Sequence, residues 1–258
     1  MFDLFSDIFA CRDNALARMD PRAKLIVALC VLVTVLMSDR VVLPLTVFVA
    51  CVAGMIAVGM PARLVALRLA GPAGIVAVLV LLQTFLTNGT PVLSFSILGW
   101  QISASDEGLA RGMLLGARVA GCVSVVLLLS SVTPAYKIFH ALRWFRVPEG
   151  WIEIALLVYR YTFTLLDQTA DVAAAQTMRL GYSTVKRSLS SVGVLAGTVL
   201  TRSLDQAVRT HEAMTLRGYK GSIPFAPLPR MGGIDRVMVG LAIPALVLIY
   251  FCLERWPW

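Results

Sequence analysis

Apolar runs separated by short charged breaks set the rhythm of the chain. Leu25 to Met37 is apolar, Asp39 and Arg40 interrupt it, and twenty uncharged residues follow from Val41 to Met60. So brief a break predicts a membrane hairpin. The first run is short for a full span, and snorkelling of Arg22 and Lys24 is expected to extend it. Leu69 to Ser105 carries no charge. Asn88-Gly89-Thr90-Pro91 and Gly99 divide it into a spanning helix ending near Leu86 and an exposed, turn-rich loop, whose Phe95, Ile97, Leu98 and Trp100 suit a membrane interface. Asp106 and Glu107 place negative charge at the start of the next helix, which is apolar from Val119 to Val132. Val237 to Leu253 supplies the last apolar run.

Between Thr133 and Arg230 the pattern is amphipathic and basic. A short helix is expected from Thr133-Pro134 to about Phe145, with Tyr136, Phe139, Leu142 and Trp144 among Lys137, His140, Arg143 and Arg146, and with Pro148 ending it. A long helix follows from Glu149 to Leu180, apolar at Ile152, Leu156, Tyr159, Phe163 and Leu166 and polar at Glu153, Arg160, Asp167 and Asp171. A third runs from about Thr184 to Arg217, where Arg202, Asp205 and Arg209 stand at pairing distances along the helix. Ile223 to Pro229 reads as an extended, proline-rich linker.

These elements predict an all-α polytopic membrane protein with about five transmembrane helices, near 24–38, 41–60, 69–86, 110–132 and 234–253, and a region of long cytoplasmic helices. The expected divisions are 1–132, 133–230 and 231–258. Lys and Arg are absent between Leu69 and Glu107 and abundant elsewhere, which places the N-terminus and the 133–230 region in the cytoplasm and the C-terminus outside. The charges before Leu25 do not form a cleavable signal peptide of the usual kind.

Composition agrees: hydrophobic residues make up 58% and mean hydropathy is +0.80. The net charge of +8 lies in the segments between apolar runs, where membrane topology accounts for it, so nucleic-acid binding is set aside. The cysteines at 11, 30, 51, 122 and 252 show no metal-ligand spacing and read as small core residues. With His140 and His211 isolated, and no HExxH or clustered carboxylates, a metal site within the chain is not expected. There is no GxxxxGK[ST] to cradle a nucleoside triphosphate, and no arrangement for nucleophilic catalysis. Arg111 and Arg118 lie seven apart on one helix face and predict either a contact with another subunit or an internal pairing.

One short pattern occurs twice in the basic region. The first copy is Gln176-Thr177-Met178-Arg179-Leu180-Gly181-Tyr182 and the second Ala213-Met214-Thr215-Leu216-Arg217-Gly218-Tyr219, with the arginines 38 positions apart. Each closes a long helix, and glycine is expected to supply the left-handed residue at the end. An arginine there complements the helix dipole and needs no partner. Its duplication in a chain without enzymatic motifs supports a second reading, in which the arginines are matched docking tips for a two-fold partner.

Asp20-Pro21-Arg22-Ala23-Lys24-Leu25, Tyr159-Arg160-Tyr161 and the two arginine motifs together resemble the transmembrane (T) component of energy-coupling factor transporters, most of all the cobalt or nickel type, the CbiQ family. The likeness covers nearly the whole chain. It implies that Met178-Arg179-Leu180 with Gly181, and Leu216-Arg217-Gly218, dock into two ATP-binding cassette ATPase subunits. Methionine or leucine replaces the commoner alanine before the arginine. The resemblance also implies a separate metal-binding membrane subunit, allows a small accessory membrane subunit, and assigns ATP and Mg to the ATPases, leaving this chain non-catalytic, without a cofactor, in the cell inner membrane. A conventional importer permease is the alternative, since Glu212-Ala213-Met214, Gly218 and Leu228-Pro229 loosely echo its cytoplasmic loop; that loop occurs once per permease. An enzyme using Arg111 and Arg118 on an anionic lipid is a third reading, and it has no acid, base or metal constellation behind it.

Overall fold

The computed structural model describes residues 19–86, 91–97, 100–223 and 232–255. Among them are eight helices: α1 (Pro21–Met37), α2 (Val42–Ala57), α3 (Ala62–Leu86), α4 (Asp106–Val132), α5 (Ala135–Trp144), α6 (Glu149–Met178), α7 (Val185–Leu216) and α8 (Gly233–Arg255). A two-stranded antiparallel ribbon, β1 (Pro91–Ile97) and β2 (Trp100–Ser105), joins α3 to α4. The protein is therefore an all-α polytopic membrane protein carrying one β-hairpin. The hairpin corrects the loop expected there: Phe95-Ser96-Ile97 and Trp100-Gln101-Ile102-Ser103 alternate with the period of a strand, and pairing satisfies the backbone groups that face across the ribbon. Leu98, the interior of that turn, Cys11 and the linker after Ile223 lie outside the described residues.

The chain forms two compact units, one comprising 1–138 with 230–258 and the other 139–229. In the first, Ala62–Phe85, Asp106–Val132 and Asp235–Leu253 are long and apolar enough to cross a bilayer, and Val42–Ala57 is a shorter apolar helix. Helix α3 starts earlier than expected and takes Arg63 and Arg68 into its first turns. Helix α4 lies against α3 through a stripe of small residues: a Cβ at Gly112 would meet the Val80 backbone at 3.1 Å, and one at Gly116 the Val76 side chain at 2.9 Å. Such close approach is how helices associate where lipid removes the hydrophobic drive. At Gly121 the neighbour is the Pro44 carbonyl of α2, 3.1 Å from an added Cβ. Met55, Met60 and Val65 form a buried cluster.

Arg118 completes this unit from inside. Its Nε and Nη2 donate to the Ser38 carbonyl at 3.0 and 2.6 Å, and Nη2 lies 3.4 Å from Asp39 Oδ1. Ser38 is fully buried at the C-terminus of α1, where backbone carbonyls have lost their helical partners. Of the two alternatives for Arg118, the internal pairing is the one formed within the chain. Arg111 stays exposed.

The second unit holds α6 and α7 as an antiparallel helical hairpin. Three contacts fix its register: Gln176 Nε2 donates to the Ser191 carbonyl (3.0 Å), Thr210 and Tyr161 share a hydroxyl hydrogen bond (3.0 Å), and the Tyr219 hydroxyl donates to Glu153 (3.3 Å). Phe139, Tyr159 and Phe163 stack edge to face beside it, with ring centroids 6.2 and 5.2 Å apart. The turn before α6 is closed by Arg143 on Glu149 (2.9 Å). Arg146, left-handed at φ 61°, stops α5 before Pro148 is reached. The pairing expected of Arg202, Asp205 and Arg209 is not made among the described residues.

Candidate functional site: two arginine caps at opposite ends of one hairpin

Both arginines are the capping residues of their helices, Arg179 at φ −89°, ψ 15° and Arg217 at φ −87°, ψ 8°. After Arg179, Leu180 donates its N–H to Thr177 (3.0 Å) and Gly181 to Gln176 (2.9 Å). After Arg217, Gly218 donates to Thr215 (3.0 Å) and Tyr219 to Met214 (3.0 Å). Each is a complete Schellman closure, pairing carbonyls that the helix end leaves orphaned. The two copies are thus equivalent when counted from the arginine.

That register corrects the role expected of glycine in the first copy. The left-handed residue is Leu180 at φ 57° there and Gly218 at φ 85° in the second. A leucine in this conformation carries a strain of about 1 kcal/mol from its Cβ, which Gly218 avoids. Gly181 is needed for closeness instead: a Cβ on it would sit 2.7 Å from Ser191 Oγ and 2.9 Å from the Gln176 carbonyl.

The caps leave their flanking side chains outside. Met178, Leu180 and Leu216 are 87%, 68% and 90% exposed, although each is a large apolar group. Arg179 and Arg217 are also exposed, and among the described residues neither makes an ion pair. An apolar side chain beside a free guanidinium on a rigid cap has the composition of an interface anchor. Because α6 and α7 run antiparallel, the tips lie at opposite ends of the hairpin, separated by the length of α7, roughly 48 Å at 1.5 Å per residue.

Each tip has its own tether. At the first, Gln176 donates to the Ser191 carbonyl (3.0 Å) and accepts from the Tyr182 hydroxyl (2.7 Å), while Ser191 Oγ donates to the Gly181 carbonyl (3.0 Å). At the second, Glu153 is buried, at 5% exposure, and accepts from the Ile223 N–H (2.7 Å) and the Tyr219 hydroxyl (3.3 Å). Burial, joined by the Glu153 carboxylate, holds the Tyr219 phenol above its ordinary range. Reading the sequence placed Glu153 among the polar positions of α6 and missed this role. Its one signal was an acid directly after Trp151 and Ile152. No group of three or more metal-binding side chains occurs among the described residues.

A polytopic helical membrane protein presenting two equivalent arginine caps is the class these features define. Residues 12–225 match the model of the cobalt transport protein family CbiQ. The chain belongs to that family, and it is a membrane component of a transport system. It is 37% identical over 147 residues to the cobalt transport protein CbiQ of Rhodobacter capsulatus, covering 57% of this chain and 60% of that one. It is 25% identical over 224 residues to the energy-coupling factor transporter transmembrane protein EcfT of Lactobacillus helveticus, covering 81% and 79%. It is 29% identical over 99 residues to the cobalt transport protein CbiQ of Salmonella typhimurium, covering 38% of this chain and 44% of that one.

Proposed function

We propose that the chain is the energy-coupling scaffold of an ATP-driven cobalt or nickel importer. It links two ATP-binding cassette ATPase subunits, which bind ATP and Mg, to a separate membrane subunit that binds the metal. The observation that carries this reading is the pair of geometrically equivalent, exposed arginine caps in a chain of the cobalt transport family. Met178, Arg179, Leu180 and Gly181 form one coupling tip, and Leu216, Arg217 and Gly218 the other. A hairpin with fixed register carries a displacement of one tip to the other as a rigid element, so closure of the two ATPases acts on a single lever. Residues 133–230 are the cytoplasmic coupling region. The N-terminus is cytoplasmic and the membrane is the cell inner membrane.

Two measurements test this. The complex is expected to purify with ATPase subunits, identified by mass spectrometry, and with a distinct metal-binding membrane protein. The isolated chain is expected to show neither ATP hydrolysis nor calorimetric binding of cobalt or nickel. A stoichiometric, tight metal site in the isolated chain would favour a permease that forms the pathway itself. For orientation, a cysteine at Ser94 is expected to label from outside and one at Ser188 from inside; the reverse pattern would overturn the topology.

A further inference from the structure

Between the facing surfaces of α6 and α7, beside the second tip, lies a cleft of about 510 Å³. Arg160 of α6 and Arg209 and Arg217 of α7 line it, together with Tyr161, Thr210 and Tyr219. No acidic residue lines it. Among the described residues none of the three arginines enters an ion pair, and the acids of the same helix segment, Asp205 and Glu212, do not neutralise them. Glu153, which meets the cleft wall through Tyr219 and Ile223, already accepts two hydrogen bonds. The guanidinium of Arg160 lies 5.9 Å from the centre of the Tyr161 ring. Three forked donors around one concavity, with no internal counter-charge, form a receptor for a planar or tetrahedral oxyanion.

We infer that this cleft receives acidic side chains of the ATPase that engages the second tip, so that Arg160 and Arg209 extend the docking surface beyond Arg217. The inference rests on the coupling reading above, because Arg217 belongs both to the tip and to the cleft wall. That shared residue makes the cleft continuous with the surface the ATPase would cover, and its uncompensated positive charge calls for an acidic partner.

The test measures association of the purified chain, in detergent, with the ATPase subunits that co-purify with it. R160A/R209A is expected to keep the helical content and thermal transition of the wild type, since neither guanidinium is hydrogen-bonded among the described residues. It is expected to bind the ATPases about tenfold more weakly, with a flatter dependence on salt. R160K/R209K should recover part of the affinity, because lysine keeps the charge and loses the fork. If R160A/R209A binds at wild-type affinity while R179E/R217E does not bind, the cleft inference fails and the tip reading stands. Wild-type binding by both variants would remove the docking reading itself. Loss of binding to phosphatidylglycerol vesicles by R160A/R209A, with ATPase association unchanged, would make the cleft a lipid-phosphate site and overturn the inference.

Discussion

At the end of α6 the chain closes around a left-handed leucine and is tied down by a neutral amide network; at the end of α7 it closes around a left-handed glycine and is tied down by a buried carboxylate. The two Schellman hydrogen bonds are nonetheless the same in both caps. The equivalence thus lies in how each arginine is presented, while the anchoring answers to what each helix end packs against. The first tip sits in the tight turn between α6 and α7 and uses the residues of that turn. The second is followed by Lys220–Ile223, and Glu153 reaches from the start of α6 to hold that segment.

Local perturbations should therefore separate the tips. The largest effect is expected from Glu153→Ala, which strands the Ile223 N–H and the Tyr219 hydroxyl and should cost about 2 kcal/mol of local stability. Hydrogen exchange should rise across Gly218–Ile223 and stay unchanged across Arg179–Tyr182. Equal loosening of both segments would contradict separate anchoring. Gly181→Ala should do the converse, because its Cβ meets a backbone carbonyl, at about 1 to 2 kcal/mol for the overpacking. Leu180→Gly should stabilise the first cap by about 1 kcal/mol as the left-handed strain is relieved, and the thermal transition of the purified chain checks it. A companion loss of ATPase affinity would separate the strained leucine's exposed side chain from its backbone.

The smallest effect concerns pH. The Tyr219 phenol is raised in the folded chain, so its contribution is fully present below the ordinary tyrosine range near 10 and is lost as pH rises through the higher folded value. Exchange at Gly218–Ile223 should therefore increase on alkaline titration more than at the first tip. Tyr219→Phe should abolish that difference.

Much of this was legible in the sequence. Apolar runs and their Asp, Pro and Gly punctuation located the helices because burial in lipid and helix termination are local properties. The hairpin after α3 was not, since Asn88-Gly89-Thr90-Pro91 signals a turn and hides two short alternating strands behind it. Arg118 was ambiguous for another reason: helix periodicity gives its face but not the Ser38 carbonyl, 80 residues away, that it meets. The arginine motifs were visible as a repeat, yet matching their Gly-Tyr pairs shifts one copy against the other by a residue. Counting from the arginine, which the Schellman hydrogen bonds do, assigns the left-handed position to Leu180. Glu153 escaped because a partner 70 residues on leaves no trace in local pattern.

The most direct test of the coupling account is charge reversal at both tips. Each guanidinium seated in a partner groove should contribute about 1.5 to 3 kcal/mol, whereas a helix-dipole role is worth about 0.3 to 1 kcal/mol and would survive replacement by lysine. Neither arginine side chain holds its own cap together, so R179E/R217E should reach the membrane folded. With both anchors gone it should fail to co-purify with the ATPases and fail to support metal uptake, each single variant being weakened and uncoupled. Wild-type yield of the complex together with wild-type uptake in the double variant would show that the arginines are helix caps and that the coupling assignment is wrong.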